Sequence, residues 1–360
     1  MREGPQDVAD GTAPRRARSR LGLFLPYALL LVLCVLWSAA WVFLRARAGT
    51  EIDAWLAREA EAGRTWTCAD RALTGYPFRL ELRCASLALA RADGGFRLGP
   101  VTVLAQVYQP RHVLLEAAGP FHAEQGDLTG DVAWTSLRGS FHGAADGFTR
   151  ASLVVEAPRV RVEGAGTPVE VAAAHLELHA RPTPGRYESD GAVDVSLRLA
   201  RAASPAADRY LGNPEPADLD LDVAANRATV LRTGALAREL EAWRLAGGTL
   251  DIVGLSLAKG DLRLQATGSL GLDDAHRPTG QIAAKAAGAE AIVAAIVGQR
   301  FDGGRGALVG GLVGGLLKLR RPPAQPGQAP LAPLPALKLT GGRLLVGGFP
   351  IPDVALPTLY

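Results

Sequence analysis

From Leu21 to Leu44 the chain reads LGLFLPYALLLVLCVLWSAAWVFL, 24 residues without a charged side chain. A helix of roughly 20 apolar residues crosses the hydrocarbon core of a bilayer. Within lipid every backbone N–H and C=O must bond inside its own segment, which leaves a helix as the conformation of a lone span. The stretch therefore predicts one transmembrane helix over 21–44, with a short tail before it and a large folded part after it. Arg15, Arg16, Arg18 and Arg20 stand directly in front of the span. Positive charge stays on the cytoplasmic side, so 1–20 is expected to be a basic cytoplasmic tail and the main domain to lie outside the cytoplasm. The alternative is a cleaved signal peptide with Ala46-Arg47-Ala48 as its small-x-small site, but an apolar signal region is normally about 7–15 residues.

Charge narrows the partners. Residues 1–44 hold five Arg against three acidic residues, leaving a net charge of +1 on the rest of the chain. Nucleic-acid binding needs clustered positive charge to displace counterions, so that class of partner is not expected. Hydrophobic residues make up 48% of the chain, enough for the part outside the span to fold around a core. Of three cysteines, Cys34 lies in the span, where a thiol behaves as a small apolar group. Cys68 and Cys84 lie beyond it, without redox C-x-x-C or zinc spacing, and a structural disulfide is the preferred reading. Such a bridge would close a loop of about 15 residues and contribute on the order of 3 kcal/mol by chain entropy. Two unpaired buried thiols are the alternative.

Past the span, a juxtamembrane helix is expected over 45–64, with Thr50 as N-cap, Ile52, Trp55 and Leu56 at helical spacing, and Gly63 as its stop. From Thr65 the period changes to two. In Arg79-Leu80-Glu81-Leu82-Arg83 the leucines face one way and the charges the other, as in a half-buried antiparallel strand. Similar runs recur, among them ASLVVEAPRVRVEG, VEVAAAHLELHA and ADLDLDVA, divided by turns such as Gly75-Tyr76-Pro77, Asp93-Gly94, Asp146-Gly147 and Pro184-Gly185. The fold class is mainly β with a few helices: an extended antiparallel β-rich domain over 65–319. One helix interrupts it near Leu236–Leu245, and alternation is strong from Leu250 to Leu272. Gly306, Gly310 and Gly314 give a small-residue helical pattern too short for a second span. Residues 320–336 are a Pro-rich connector, and 337–360 read as strands that return to close the sheet.

Few residues suggest chemistry. His175 and His179 in HLELH sit on one face of a strand, about 13 Å apart by strand rise, too far to share a metal, and are read as solvated. Asp218, Asp220 and Asp222 resemble the opening of a calcium loop, but the sixth position is Val223 where Gly is needed, so they are read as the wet face of a strand. Neither a phosphate-binding loop nor a G-x-S-x-G elbow occurs. The expectation is a protein without catalytic, metal or cofactor residues. A long sheet with one apolar face can instead offer a groove to an acyl chain, or be closed as a sandwich core. The alternation is the same in both.

The segment Ile52–Cys84, with Gly63-Arg64, Cys68, Gly75-Tyr76-Pro77-Phe78-Arg79 and Cys84, resembles the bacterial domain of unknown function 2125 family. The closing residues Gly342-Arg343-Leu344 and Gly347-Gly348-Phe349-Pro350-Ile351-Pro352 are similar to that family's last strand. The resemblance implies an envelope protein of a Gram-negative bacterium and carries over no catalytic residue; together with the orientation set by the arginines, the expected location is the inner membrane, with the main domain in the periplasm. More distantly, Gly260–Asp273 and Arg277-Pro278-Thr279-Gly280 are similar to strands of AsmA-like envelope proteins, which are implicated in moving or organising lipid. The expected partners are thus the bilayer and a lipid or other apolar ligand. The alternative is an envelope-assembly scaffold that binds protein at a sheet edge.

Overall fold

The computed structural model describes residues 21–144, 147–164, 166, 168–211, 213–231, 236–288 and 330–360. Arg15, Arg16, Arg18, Arg20, Asp146, the Gly306/Gly310/Gly314 pattern and residues 320–329 of the Pro-rich connector lie outside the described residues. The chain divides into two compact units, Met1–Ile52 and Asp53–Tyr360. One helix, α1 (Leu21–Glu61), takes up both the expected span and the segment expected to form a separate juxtamembrane helix. Its apolar part is long enough to cross a membrane. Thr50 is consequently not an N-cap. No chain enters a helix there, and its hydroxyl bonds back one turn to the Ala46 carbonyl at 3.2 Å. The helix does stop where glycine permits: Gly63 takes a φ of +76°, in the left-handed region that costs other residues energy.

Everything after α1 is dominated by antiparallel strands. A seven-stranded sheet has the order β1 (Thr65–Ala69), β4 (Ser86–Arg91), β5 (Gly94–Leu98), β8 (Phe121–Gln125), β9 (Leu128–Ala133), β12 (Arg159–Glu163), β13 (Val169–Ala172). The longer, 16-stranded sheet starts with β2 (Ala72–Thr74), β3 (Arg79–Cys84), β6 (Val101–Gln106), β7 (Gln109–Ala117), β10 (Ser136–Gly143), β11 (Phe148–Glu156), β14 (His175–Pro182) and β15 (Val193–Ala202). It continues through β16 (Ala217–Ala225), β17 (Leu250–Lys259), β18 (Leu262–Leu272), β19 (Pro278–Ala287), β21 (Leu337–Thr340), β22 (Arg343–Val346) and β23 (Phe349–Ala355). The short β20 (Ala332–Pro333) pairs with β19. Helices α2 (Tyr187–Asp190), α3 (Pro205–Leu211) and α4 (Leu236–Leu245) occupy connections. The last strands lengthen the sheet at the β19 side.

The two sheets are one sheet folded along a line. Each strand of the shorter sheet runs into a strand of the longer one through only one to three residues: β3 into β4 through Ala85, β7 into β8 through Ala118–Pro120, β11 into β12 through Ala157-Pro158. Hydrogen bonds continue through these corners. Ala118 N–H donates to the Pro100 carbonyl at 2.8 Å and Ala157 N–H to the Ala174 carbonyl at 2.8 Å. The corners are local in cause. Pro100, Pro120 and Pro158 have no N–H to offer a ladder, and Asp70 and Ala157 adopt positive φ. Runs that read as single strands, ASLVVEAPRVRVEG and VEVAAAHLELHA, are therefore each two strands in different walls.

Candidate functional site

Directly opposed residues of antiparallel strands point to the same face, so the pairing register tells which side chains share a wall. On the longer wall, the rung nearest the crease runs Cys84, Val101, Ala117, Leu137, Val155, Leu176, Leu199, Leu219, Leu257, Leu264, Ala286. Every position is apolar. Two residues along each strand, a second rung passes from Leu82 and Val103 through Leu153 and Leu197 to Leu255 and Ala266. A third passes from Leu80 through Val113, Phe141 and Val195 to Ile252 and on to Leu337 and Val346. The shorter wall has its own rung, with Cys68, Leu87, Leu98, Phe121, Val132, Val160 and Val171.

The disulfide orients these two apolar faces. Cys68 and Cys84 are bonded, with their α-carbons 5.1 Å apart. Cys68 shares a face with Leu87 and Cys84 shares a face with Val101. Since the two sulfurs meet, both apolar faces look into the same angle of the fold, and the bent sheet is a trough with an apolar inside. Burial agrees. Cys84, Val101, Ala117 and Val155 on the rung nearest the crease are buried, whereas Phe141 on the third rung is 45% exposed. Among the described residues no large side chain is fully enclosed. On the inside of the shorter wall a depression of about 370 Å³ is lined by Leu89, Phe96, Phe121, Ala123, Leu128 and Val162. An aromatic series leads into it from α1: Trp55 to Trp66 at 5.5 Å, Trp66 to Phe96 at 5.5 Å and Phe96 to Phe121 at 5.4 Å between ring centroids. The family model described as "Uncharacterized protein conserved in bacteria (DUF2125)" matches residues 41–355, which take in both walls.

The chain belongs to that family. No curated protein and no solved structure matches it at a significant level. In this DUF2125 chain the outside of the trough is polar, and there lie the histidines singled out from sequence. His175 bonds Glu156 at 2.9 Å through Nδ1 and Glu177 at 2.9 Å through Nε2. His179 reaches the other Glu177 oxygen at 3.3 Å and Ser152 at 2.9 Å. The hydrogen bonds that Glu177 and then Glu156 accept push the His175 pKa up, and those that Glu177 makes with His175 and then His179 hold its carboxyl below the ordinary carboxylate range. Sequence reasoning found the two histidines but not Glu177 as their shared acceptor. The 175/177/179 alternation carried that signal; Glu156 and Ser152 came only with the β11–β14 register. Asp220 pairs with Arg198 at 3.5 Å, and Asp218 accepts the Arg201 N–H at 2.8 Å, so these carboxylates serve neighbouring strands. Among the described residues no three His, Cys, Asp or Glu side chains are grouped to hold a metal ion. Leu21 and Leu44, the expected bounds of the span, both lie within α1.

Proposed function

We propose that this chain is a non-enzymatic, single-pass protein of the bacterial inner membrane, with its N-terminus in the cytoplasm and its bent sheet in the periplasm, that holds a lipid acyl chain or another apolar ligand inside the trough. The observation that carries the reading is the unbroken apolar rung from Cys84 to Ala286, lying on the inside of a fold whose larger side chains stay partly open to solvent. An exposed apolar surface of this extent is costly in water and is stabilised by an apolar occupant. Separate polar groups are not needed to bind a methylene chain, which fits a surface of Leu, Val and Ala. The AsmA-like resemblance of Gly260–Asp273 lends support. A scaffold that captures protein at a sheet edge fits less well. One edge of the long wall is the three-residue β2, and β23 at the other carries Pro350 and Pro352, which have no N–H to donate.

Leu197 and Ser196 are neighbours on β15 that face opposite sides of the wall. In the full chain reconstituted in lipid nanodiscs, a photo-crosslinking residue at Leu197 is expected to form lipid adducts and the same residue at Ser196 is not. Absence of lipid at Leu197, or equal labelling at both, overturns the reading.

A further inference from the structure

The trough has two rims where the strands turn back, and they differ in chemistry. On the long wall the turns between β2 and β3 and between β6 and β7 lie side by side, joined by the Val107 N–H donating to the Phe78 carbonyl at 2.9 Å. Both turns have the same make-up: Gly75-Tyr76-Pro77-Phe78-Arg79 and Val107-Tyr108-Gln109-Pro110-Arg111, an aromatic, a proline and an arginine with no acid in either. Their rings stand out from the fold, Tyr76 at 56%, Phe78 at 59% and Tyr108 at 63% exposure. Arg79 shares the buried carboxylate of Glu81 with Arg83, so one negative charge faces two positive ones, and Arg111 adds another. On the neighbouring β10 and β11 the rings of Phe141 and Phe148 are 6.2 Å apart and Arg150 is exposed, although the chain between them has no proline and includes Asp146. The opposite rim, on the short wall, turns through Ala92-Asp93 and Gly126-Asp127. It carries Asp93 and Asp127 where the β2–β3 and β6–β7 turns carry aromatics and arginine.

We infer that the rim formed by Tyr76, Phe78 and Tyr108 with Arg79 and Arg111 docks into the surface of an anionic bilayer, rings at the headgroup boundary and guanidinium groups against lipid phosphate. Tyrosine at such a boundary keeps its ring in the apolar zone and its hydroxyl in water, and phenylalanine inserts deeper. Arginine matches phosphate with a fork of donors and is attracted by the negative surface potential of anionic lipid. Large exposed rings beside Arg79, Arg83 and Arg111, three cations with the single Glu81 carboxylate between the first two, fit a lipid surface better than a protein interface, whose centre is depleted of charge. The inference rests on the lipid-holding reading and deepens it: the third inner rung at Leu80 and Val113 leads directly to these turns, so a docked rim would open the trough toward the bilayer.

The test uses the full chain with Cys34→Ala, so that the Cys68–Cys84 disulfide leaves a single added thiol for labelling. An environment-sensitive fluorophore is placed at Tyr108→Cys or, as a comparison, at Asp127→Cys on the other rim. The protein is reconstituted in vesicles of phosphatidylcholine with or without phosphatidylglycerol, both containing brominated chains that quench the dye. Brominated phosphatidylglycerol vesicles are also added from outside, to catch docking onto a second bilayer. Quenching at 108 that requires phosphatidylglycerol, is absent at 127 and falls roughly tenfold in binding strength with Arg79→Glu plus Arg111→Glu is the expected result. A label at 108 that stays as unquenched as that at 127, or is quenched regardless of lipid charge, overturns the inference. A variant that loses its far-ultraviolet circular dichroism is replaced by a label at Gln109 in the otherwise unchanged rim. Lipid adducts at Leu197 with an unquenched rim would sink the docking and leave the trough reading standing.

Discussion

Cys68 and Cys84 join the first strand of one wall to the second strand of the other, and their bond sits inside the crease of the trough. The bridge spans 16 residues of chain that contain the corner at Asp70-Arg71 and the complete hairpin turn between β2 and β3. It fixes the angle between the walls at the end of the trough nearest α1. Cys84 is buried, so the bond also belongs to the apolar lining.

Reducing this bond, or replacing Cys68→Ser, is expected to destabilise the folded sheet by about 3 kcal/mol, the chain-entropy value for a loop of this length. Thermal unfolding with and without reductant measures it. Alkylation of both thiols in the unreduced protein would show that the bridge is absent.

The outer-face network should respond to pH with a definite sign. His175 has a raised folded pKa, so its contribution is complete below the ordinary histidine value of 6.5 and is lost as pH rises through the raised value. Glu177 has a lowered one, so its contribution is complete above 4.5 and is lost as pH falls through the lowered value. The stability difference between wild type and His175→Gln should accordingly be greatest between these limits and shrink on the alkaline side. Denaturant titrations across pH test it, and a His175 nuclear magnetic resonance titration midpoint at or below 6.5 would contradict the assignment.

At the crease end of β17, Lys259 is 3% exposed and its ammonium donates to Asp208 at 2.7 Å and to the Glu215 carbonyl. The Asn213 side chain closes over it, donating to the Lys259 carbonyl at 3.2 Å. Removing the carboxylate with Asp208→Ala leaves a buried unpaired charge and should cost about 3–5 kcal/mol, whereas Lys259→Met keeps the stem packing and should cost less. Urea unfolding of the two variants decides between them.

Tyr360 anchors the last strands to α4. Its hydroxyl donates to Glu241 at 2.8 Å and its ring stacks on His276 with centroids 4.3 Å apart. Arg244, then Tyr360, hold the Glu241 carboxyl down at about 2. This pKa is depressed, so the stabilisation is complete above 4.5 and disappears as pH falls toward 2. Glu241→Gln should flatten the acid-unfolding curve between those values, as followed by circular dichroism. Equal acid sensitivity of the variant would place the effect elsewhere.

Much of the chain was legible residue by residue. The helix at Leu236–Leu245 has the bounds that its apolar spacing gave, and Gly63 ends α1 because the left-handed turn there admits glycine without strain. The alternation from Leu250 to Leu272 resolves into β17 and β18. Thr50 misled, because a good N-cap residue marks a helix start only if the preceding residues are not already helical, and the span before it is. The histidines could be put on one outer face by counting in twos, but their partners Glu156 and Ser152 lie 19 and 27 residues away.

The apolar helix over 21–44, the cysteine pair and the division of each strand into an apolar and a polar face follow from the sequence alone, because hydropathy and period two are properties of adjacent residues. Only the tertiary structure decided that the sheet bends at Ala85, Ala118–Pro120 and Ala157-Pro158, and that both apolar faces turn to the inside. A bend depends on hydrogen bonds that carry the ladder from one strand to its neighbour around the corner. An inward leucine has the same neighbours in sequence whether it lines a closed core or an open trough; what differs is the wall across from it.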